Sequence, residues 1–228
     1  QHPRHFGEMV QYMDKLIGKL VDLLDELNIR KHTLLIFLGD NGTGGGIRSM
    51  MGDREVIGGK GKTTRAGMRV PLIVNGPGMV RSGVVCSDLV DSTDIFPTIC
   101  EAAGIPIPDG LVLDGKSFWP QLCGQPATPR KWIYCWYSPR QGADTRVTEF
   151  AFNQRYKLYR DGRFYDCELD PEEKQPLEDS QLSEDTRQIK EMLKQVLNAH
   201  VGIRPAHLDE QLPPPDRPAT RQRRARQQ

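Results

Sequence analysis

Within the 228 residues of this chain, the segment that most constrains the fold runs from Thr33 to Pro71. It opens on a short apolar run, Leu34-Leu35-Ile36-Phe37-Leu38, with the length and content of a strand buried on both faces. Gly39, Asp40, Asn41 and Gly42 follow directly. A carboxylate and an amide are thus delivered side by side at the C-terminal end of a strand, where open α/β sheets carry their sites. Hard oxygen donors on a glycine-flanked turn suit a cation such as Ca2+ or Mg2+. Then come Gly44-Gly45-Gly46 and, further on, Gly58-Gly59-Lys60-Gly61. The glycines let backbone approach a ligand closely, and Lys60 is a compact cation able to meet an anionic oxygen. A second apolar strand, Val70 to Val74, closes a unit that reads as strand, metal-binding turn, anion-binding loop, strand. Each part alone has a plainer reading, a local Asx turn and a surface loop; the spacing of the whole set makes it specific.

Upstream, Phe6, Met9, Val10, Met13, Leu16, Ile17, Leu20, Leu24 and Leu27 recur in steps of three and four. That spacing predicts an amphipathic helix packed on a sheet, with Asn28 as its stop. Downstream, residues Asp94 to Ala103 have a helical pattern with Pro97 near the first turn, and a short helix is expected around Ser117 to Leu122. Apolar stretches alternating with helices argue for an α/β layer on a mostly parallel sheet.

The character changes near Gly124 to Arg130. Trp132 to Tyr137, Phe150 to Phe152 and Tyr156 to Tyr159 are aromatic and β-branched in strand style. Asp161-Gly162 stands between two such runs and signals a hairpin, and a helix is expected from about Glu184 to His200. Trp136 and Tyr137 read better as core than as part of a substrate mouth. Three regions result: residues 1–125 as the α/β portion, 126–211 as a small antiparallel subdomain with a helix, and 212–228 as a Pro- and Arg-rich tail. With so few apolar residues, that tail is expected to be unstructured.

Composition narrows the function classes. A net charge of +1 gives no case for nucleic acid or a broad membrane-surface field. No run reaches the apolar length of a membrane span, so a soluble chain is expected. The five cysteines form no C-x-x-C pair, which disfavours structural zinc, and the surroundings of Cys100 and Cys135 imply buried free thiols. Gln1-His2-Pro3-Arg4-His5 is no signal peptide and carries no initiator Met, which leads to the expectation of a fragment.

The central block resembles the second half of the type I sulfatase catalytic domain, in the arylsulfatase A-like group. The likeness rests on Met13-Asp14, Gly39-Asp40-Asn41-Gly42, Gly59-Lys60-Gly61 and Gly67-Met68-Arg69-Val70-Pro71. It continues through Asn75-Gly76-Pro77-Gly78, Asp94-Ile95-Phe96-Pro97-Thr98, Leu113 to Phe118, Lys157-Leu158-Tyr159, Phe164-Tyr165-Asp166 and Asp170-Pro171. It spans about Phe6 to Leu177. The resemblance implies the C-terminal part of an alkaline-phosphatase-like sheet with flanking helices, followed by a small antiparallel subdomain ending in a helix. It implies hydrolysis of sulfate monoesters, with Asp40 and Asn41 as metal ligands for Ca2+ (or Mg2+). Lys60 is then the catalytic and substrate-binding group, on a sulfuryl oxygen and beside the departing oxygen. A small-molecule or carbohydrate sulfate ester as substrate and a periplasmic or extracellular location follow from the same likeness; oligomeric state does not.

The family's nucleophile is a formylglycine made in a Cys/Ser-x-Pro-x-Arg motif, which this chain lacks. It also lacks the N-terminal Asp pair that completes the metal shell, and His2 and His5 do not match the family's His-x-Pro position. The expectation is therefore a C-terminal half, inactive by itself, with its nucleophile in a preceding segment. Where the family has Tyr-Glu-Gly-Gly this chain has Thr64-Arg65-Ala66-Gly67. Arg65 in place of an acid fits either a subsite for an acidic substrate or a separate surface pair. Two other readings stay open: phosphodiester, phosphonate or phosphoryl-transfer chemistry on the same fold, and a non-catalytic anion-binding remnant.

Overall fold

A computed structural model describes residues 5–138 and 147–203; the tail expected at 212–228 lies outside them. Helix α1 spans Phe6–Glu26. It ends where Asn28 turns to a left-handed φ of 58°. Asn28 N–H then donates to Asp25 O (3.0 Å) and Ile29 N–H to Leu24 O (3.1 Å), a Schellman closure. The periodicity therefore gives the helix its length and stop, but its packing differs from expectation. Leu24 is its one buried residue, while Met13, Leu16, Leu20 and Leu27 stay exposed on the described chain.

Strands β1 (Leu35–Leu38) and β4 (Leu72–Asn75) pair antiparallel, Leu35 opposite Asn75 and Leu38 opposite Leu72. Between them lie β2 (Arg48–Met51), β3 (Arg54–Ile57) and the single-turn helix α2 (Arg65–Met68). The pairing of β1 with β4 is antiparallel, and no parallel pair occurs among the described residues, so the expected mostly parallel sheet is not seen among them. Nor is β1 buried on both faces: Leu38 is exposed and its neighbours half-buried, because among the described residues only β4 pairs with it. The segment between Gly46 and Gly58, for which no element was expected, contains the β2–β3 hairpin with Arg48 opposite Ile57. Its two-residue turn is Gly52-Asp53, and Gly52 takes the φ of +61° that such a turn requires first.

A 3-10 turn, Ser92–Asp94, leads into α3 (Ile95–Ala102), and α4 (Trp119–Cys123) packs beside it. Asp94 organises this corner from a fully buried position. Its carboxylate accepts from the backbone N–H of Asp91 and Lys116 and pairs with the Arg130 guanidinium. A buried carboxylate is tolerable only when its oxygens are satisfied in this way.

The rest of the described chain is an antiparallel sheet of β5 (Ile133–Tyr137), β6 (Thr148–Phe152), β7 (Tyr156–Tyr159) and β8 (Phe164–Asp166), in sequential order. Asp161 and Gly162 form the expected turn between β7 and β8, with Gly162 N–H donating to Tyr159 O. Helix α5 (Glu184–Ala199) starts at Ser183, whose Oγ accepts from Thr186 N–H, with Glu184 and Asp185 in its first turn. Its Leu193, Val196 and Leu197 pack on Ala151, Leu158 and Phe164. On the opposite face, Phe150, Tyr159, Tyr165 and Cys167 form a second cluster that takes in Met68 of α2.

Candidate functional site

The turn after β1 and the segment after β3 are joined backbone to backbone. Gly39 N–H donates to Pro71 O (3.0 Å), Gly42 N–H to Gly67 O (2.9 Å) and Lys60 N–H to Thr43 O (2.9 Å). The contact is too close for side chains. A Cβ on Gly42 would stand 1.9 Å from Ala66 O, and one on Gly67 would stand 2.0 Å from Lys62 O. Real Cβ atoms do not approach that near, so glycine at these positions lets the Asp40-Asn41 turn and the Lys60 loop lie side by side. The neighbourhood read from sequence as one unit is brought together by three strands of backbone.

Asp40, Asn41 and Lys60 are all exposed side chains. Asn41 Nδ2 donates to Asp40 Oδ2 at 2.6 Å, so the two ligating candidates already touch. The oxygens not engaged by that bond, one from each side chain, are hard donors on neighbouring residues and fit a share of a Ca2+ or Mg2+ shell. Among the described residues no cluster of three or more His, Cys, Asp or Glu could hold a metal ion by itself. A shell that includes Asp40 and Asn41 needs further oxygens from elsewhere.

The Lys60 loop is also held by residues outside the predicted site, Tyr137 expected as core and Lys157 and Tyr159 expected on a strand. Tyr137 OH donates to Gly61 O (3.0 Å). Lys157, 1% exposed, points its Nζ at Thr63 O (2.5 Å) and pairs with the buried carboxylate of Glu173. The second Glu173 oxygen accepts from Tyr159 OH, which lies 2.9 Å from Thr63 Oγ1. Burial raises the Tyr159 phenol well above its ordinary range, and the bond to Glu173 raises it further, so the hydroxyl stays a donor. Burial also pushes the neighbouring Cys167 thiol up to about 11, leaving it an inert part of the wall. One signal in the sequence pointed here: Lys157 and Tyr159 are two apart on a strand and share the face that enters the core.

The Arg65 guanidinium donates to the backbone carbonyl of Gln154, which ties the loop to the β6–β7 turn of the small sheet. Cys100 and Cys167 are buried and Cys135 half-buried, all of them free.

Comparison with known proteins gives a consistent picture. The family model described as Sulfatase matches residues 1–105, and the one described as N-sulphoglucosamine sulphohydrolase, C-terminal, matches residues 62–200. Human steryl-sulfatase is 32% identical over 53% of this chain and 22% of its own length. Human arylsulfatase A is 33% identical over 68% of this chain and 30% of its own length. Among solved structures, a sulfatase from Pseudoalteromonas sp. superposes with a TM-score of 0.62 at 23% identity, over 82% of this chain and 40% of that one. The chain therefore spans less than half the length of each of these relatives.

Proposed function

This chain belongs to the type I sulfatase family, and on that premise we propose that it supplies one wall of an active site that hydrolyses sulfate monoesters. The observation that supports this most is the backbone interlock. It sets an adjacent carboxylate and amide on one loop beside a lysine on the next, in a chain whose relatives are sulfatases.

Asp40 and Asn41 would hold part of a Ca2+ or Mg2+ shell, with its remaining oxygens supplied from beyond these two residues. When bound, that ion draws charge from the sulfuryl oxygens. Lys60 faces the anionic head of the ester and stabilises charge on the departing oxygen. Its exposed ammonium has room to contact an anion without the cost of prior burial. A formylglycine nucleophile belongs to the same proposal and lies outside this chain, as does the wider, mostly parallel sheet. β1 has one strand partner among the described residues, so its other edge is open to such strands. The substrate class is a small-molecule or carbohydrate sulfate ester, and the location periplasmic or extracellular. Among the described residues no helix is long and apolar enough to cross a membrane.

The test uses the gene product that contains this chain, with a chromogenic aryl sulfate. Lys60→Ala lowers turnover by about two to three orders of magnitude, the scale of one electrostatic stabiliser. Asp40→Ala loses the bound divalent ion, read by metal analysis of the purified protein. Turnover of an aryl phosphate in preference to the sulfate would move the reading to phosphoryl chemistry, and full metal content in Asp40→Ala would remove that residue from the shell.

A further inference from the structure

The small antiparallel sheet grips the Lys60 loop on the side away from the Asp40-Asn41 turn. The segment Gly61 to Arg65, directly after Lys60, meets that sheet at four atoms: Gly61 O with Tyr137, Thr63 O with Lys157, Thr63 Oγ1 with Tyr159, and the Arg65 guanidinium with Gln154 O. Three of the four sheet-side partners are side chains drawn from two strands, β5 and β7.

The centre of the grip is costly chemistry for a place with no evident ligand. The side chains of Lys157 and Glu173 are 2% and 5% exposed. Lys157 Nζ also lies 4.8 Å from the Phe150 ring centre and 5.6 Å from that of Tyr159. Glu173 sits at a φ of 56°, left-handed backbone that a residue with a side chain adopts only when its surroundings insist. An apolar pair of similar volume would fill such a space at least as stably, so stability alone does not explain an ion pair here. What the pair does that an apolar pair cannot is seize a loop carbonyl, Thr63 O, in a single direction.

We infer that Lys157, Glu173, Tyr159 and Tyr137 are positioning residues for Lys60, acting through the backbone of Gly61 to Thr63 rather than on substrate. The inference rests on the reading of Lys60 as the group that meets the ester's anionic head. Held on one side by the Thr43 carbonyl and on the other by this cluster, the loop keeps its lysine at one position, and turnover depends on that position. The small subdomain is thereby part of the catalytic apparatus although none of its residues is asked to touch the reacting atoms.

Replacing Lys157 outright risks unfolding the sheet, so the test uses Tyr159→Phe and Tyr137→Phe, each of which removes one hydroxyl and keeps the ring. Both are made in the gene product containing this chain, alone and combined with Lys60→Ala. The expected result has three parts. Amide exchange speeds up in residues 58–64 and not in α5. Turnover of an aryl sulfate falls by about ten- to a hundredfold, with a smaller change in KM. In the Lys60→Ala background neither hydroxyl deletion lowers turnover further, because the route through Lys60 is already cut. Unchanged loop exchange and turnover would overturn the inference while leaving Lys60 catalytic. Equal losses with and without Lys60 would reduce the cluster to general stability. A wild-type rate in Lys60→Ala would instead remove the reading on which the inference stands.

Discussion

The two ends of this molecule bury their apolar residues to very different degrees. From β5 onward, Ala151, Leu158, Phe164, Leu193 and Leu197 are almost wholly withdrawn from solvent, between one sheet and one helix that follow each other in sequence. In α1 and the β1–β4 pair, residues of the same chemistry stay open: Leu16 at 47%, Leu20 at 44% and Ile73 at 59% exposure. The small sheet is a finished core. The α1 face and the β1 edge are surfaces with the composition of a core and no described partner. The contrast teaches that amphipathic patterning specifies a burying face but not what covers it, which depends on chain far away in sequence or beyond it.

The widest gap should appear in the small sheet itself. Phe150→Ala removes a fully buried ring from the cluster with Tyr159 and Tyr165 and is expected to cost about 3–5 kcal/mol in denaturant unfolding. A loss below ~1 kcal/mol would mean the sheet is looser than its burial implies. Gly67→Ala comes next, because its Cβ would collide with two backbone carbonyls where the site loops interlock. About 1–3 kcal/mol of destabilisation and a displaced Lys60 loop are expected, the second read by faster amide exchange in residues 58–64.

Asp166 offers a smaller and pH-dependent effect. Burial works against its ionised form, but the Arg155 guanidinium and the backbone N–H groups of Leu169 and Glu168 outweigh it, so its carboxyl titrates below the usual carboxylate range. A depressed native value stabilises the fold above the unfolded pKa of about 3.9 and loses that contribution as pH falls through the native value. Asp166→Asn should therefore cost about 1–2 kcal/mol at neutral pH, and its stability should converge with wild type in acid. Parallel curves down to the acid limit would deny the linkage. Smallest of all, Leu20→Ala on the exposed face of α1 should shift stability by no more than about 0.5 kcal/mol in this chain. A cost comparable to that of Leu193→Ala would show that α1 is covered after all and would collapse the comparison.

Local signals in the sequence were good wherever the deciding forces were local. The steps of three and four placed α1, and Asn28 ended it by the left-handed turn that residue tolerates. Asp161-Gly162 set the β7–β8 hairpin, and Ser183 with two acids set the start of α5. The β2–β3 hairpin is signalled only by its Gly52-Asp53 turn, because its strands carry no alternating apolar pattern. The β1–β4 pairing direction was not legible, since an apolar run reads the same from either end.

For the candidate site, residue types, spacing and the family resemblance they carry single out Asp40, Asn41 and Lys60 from the sequence. The sequence also showed glycines able to let backbone approach closely, but that Gly42 and Gly67 let two loops pass each other came from the fold. Only the tertiary structure decided what grips those loops from outside. Lys157 and Tyr159 meet Thr63 from 94 and 96 residues away in the chain, and Glu173 pairs with both of them. It decided also that Arg65 bonds the backbone carbonyl of Gln154, far along the chain. The reason is physical: periodicity and turn chemistry act over a few residues, whereas the partner of a buried charge is whichever group the packed chain brings within three ångströms of it.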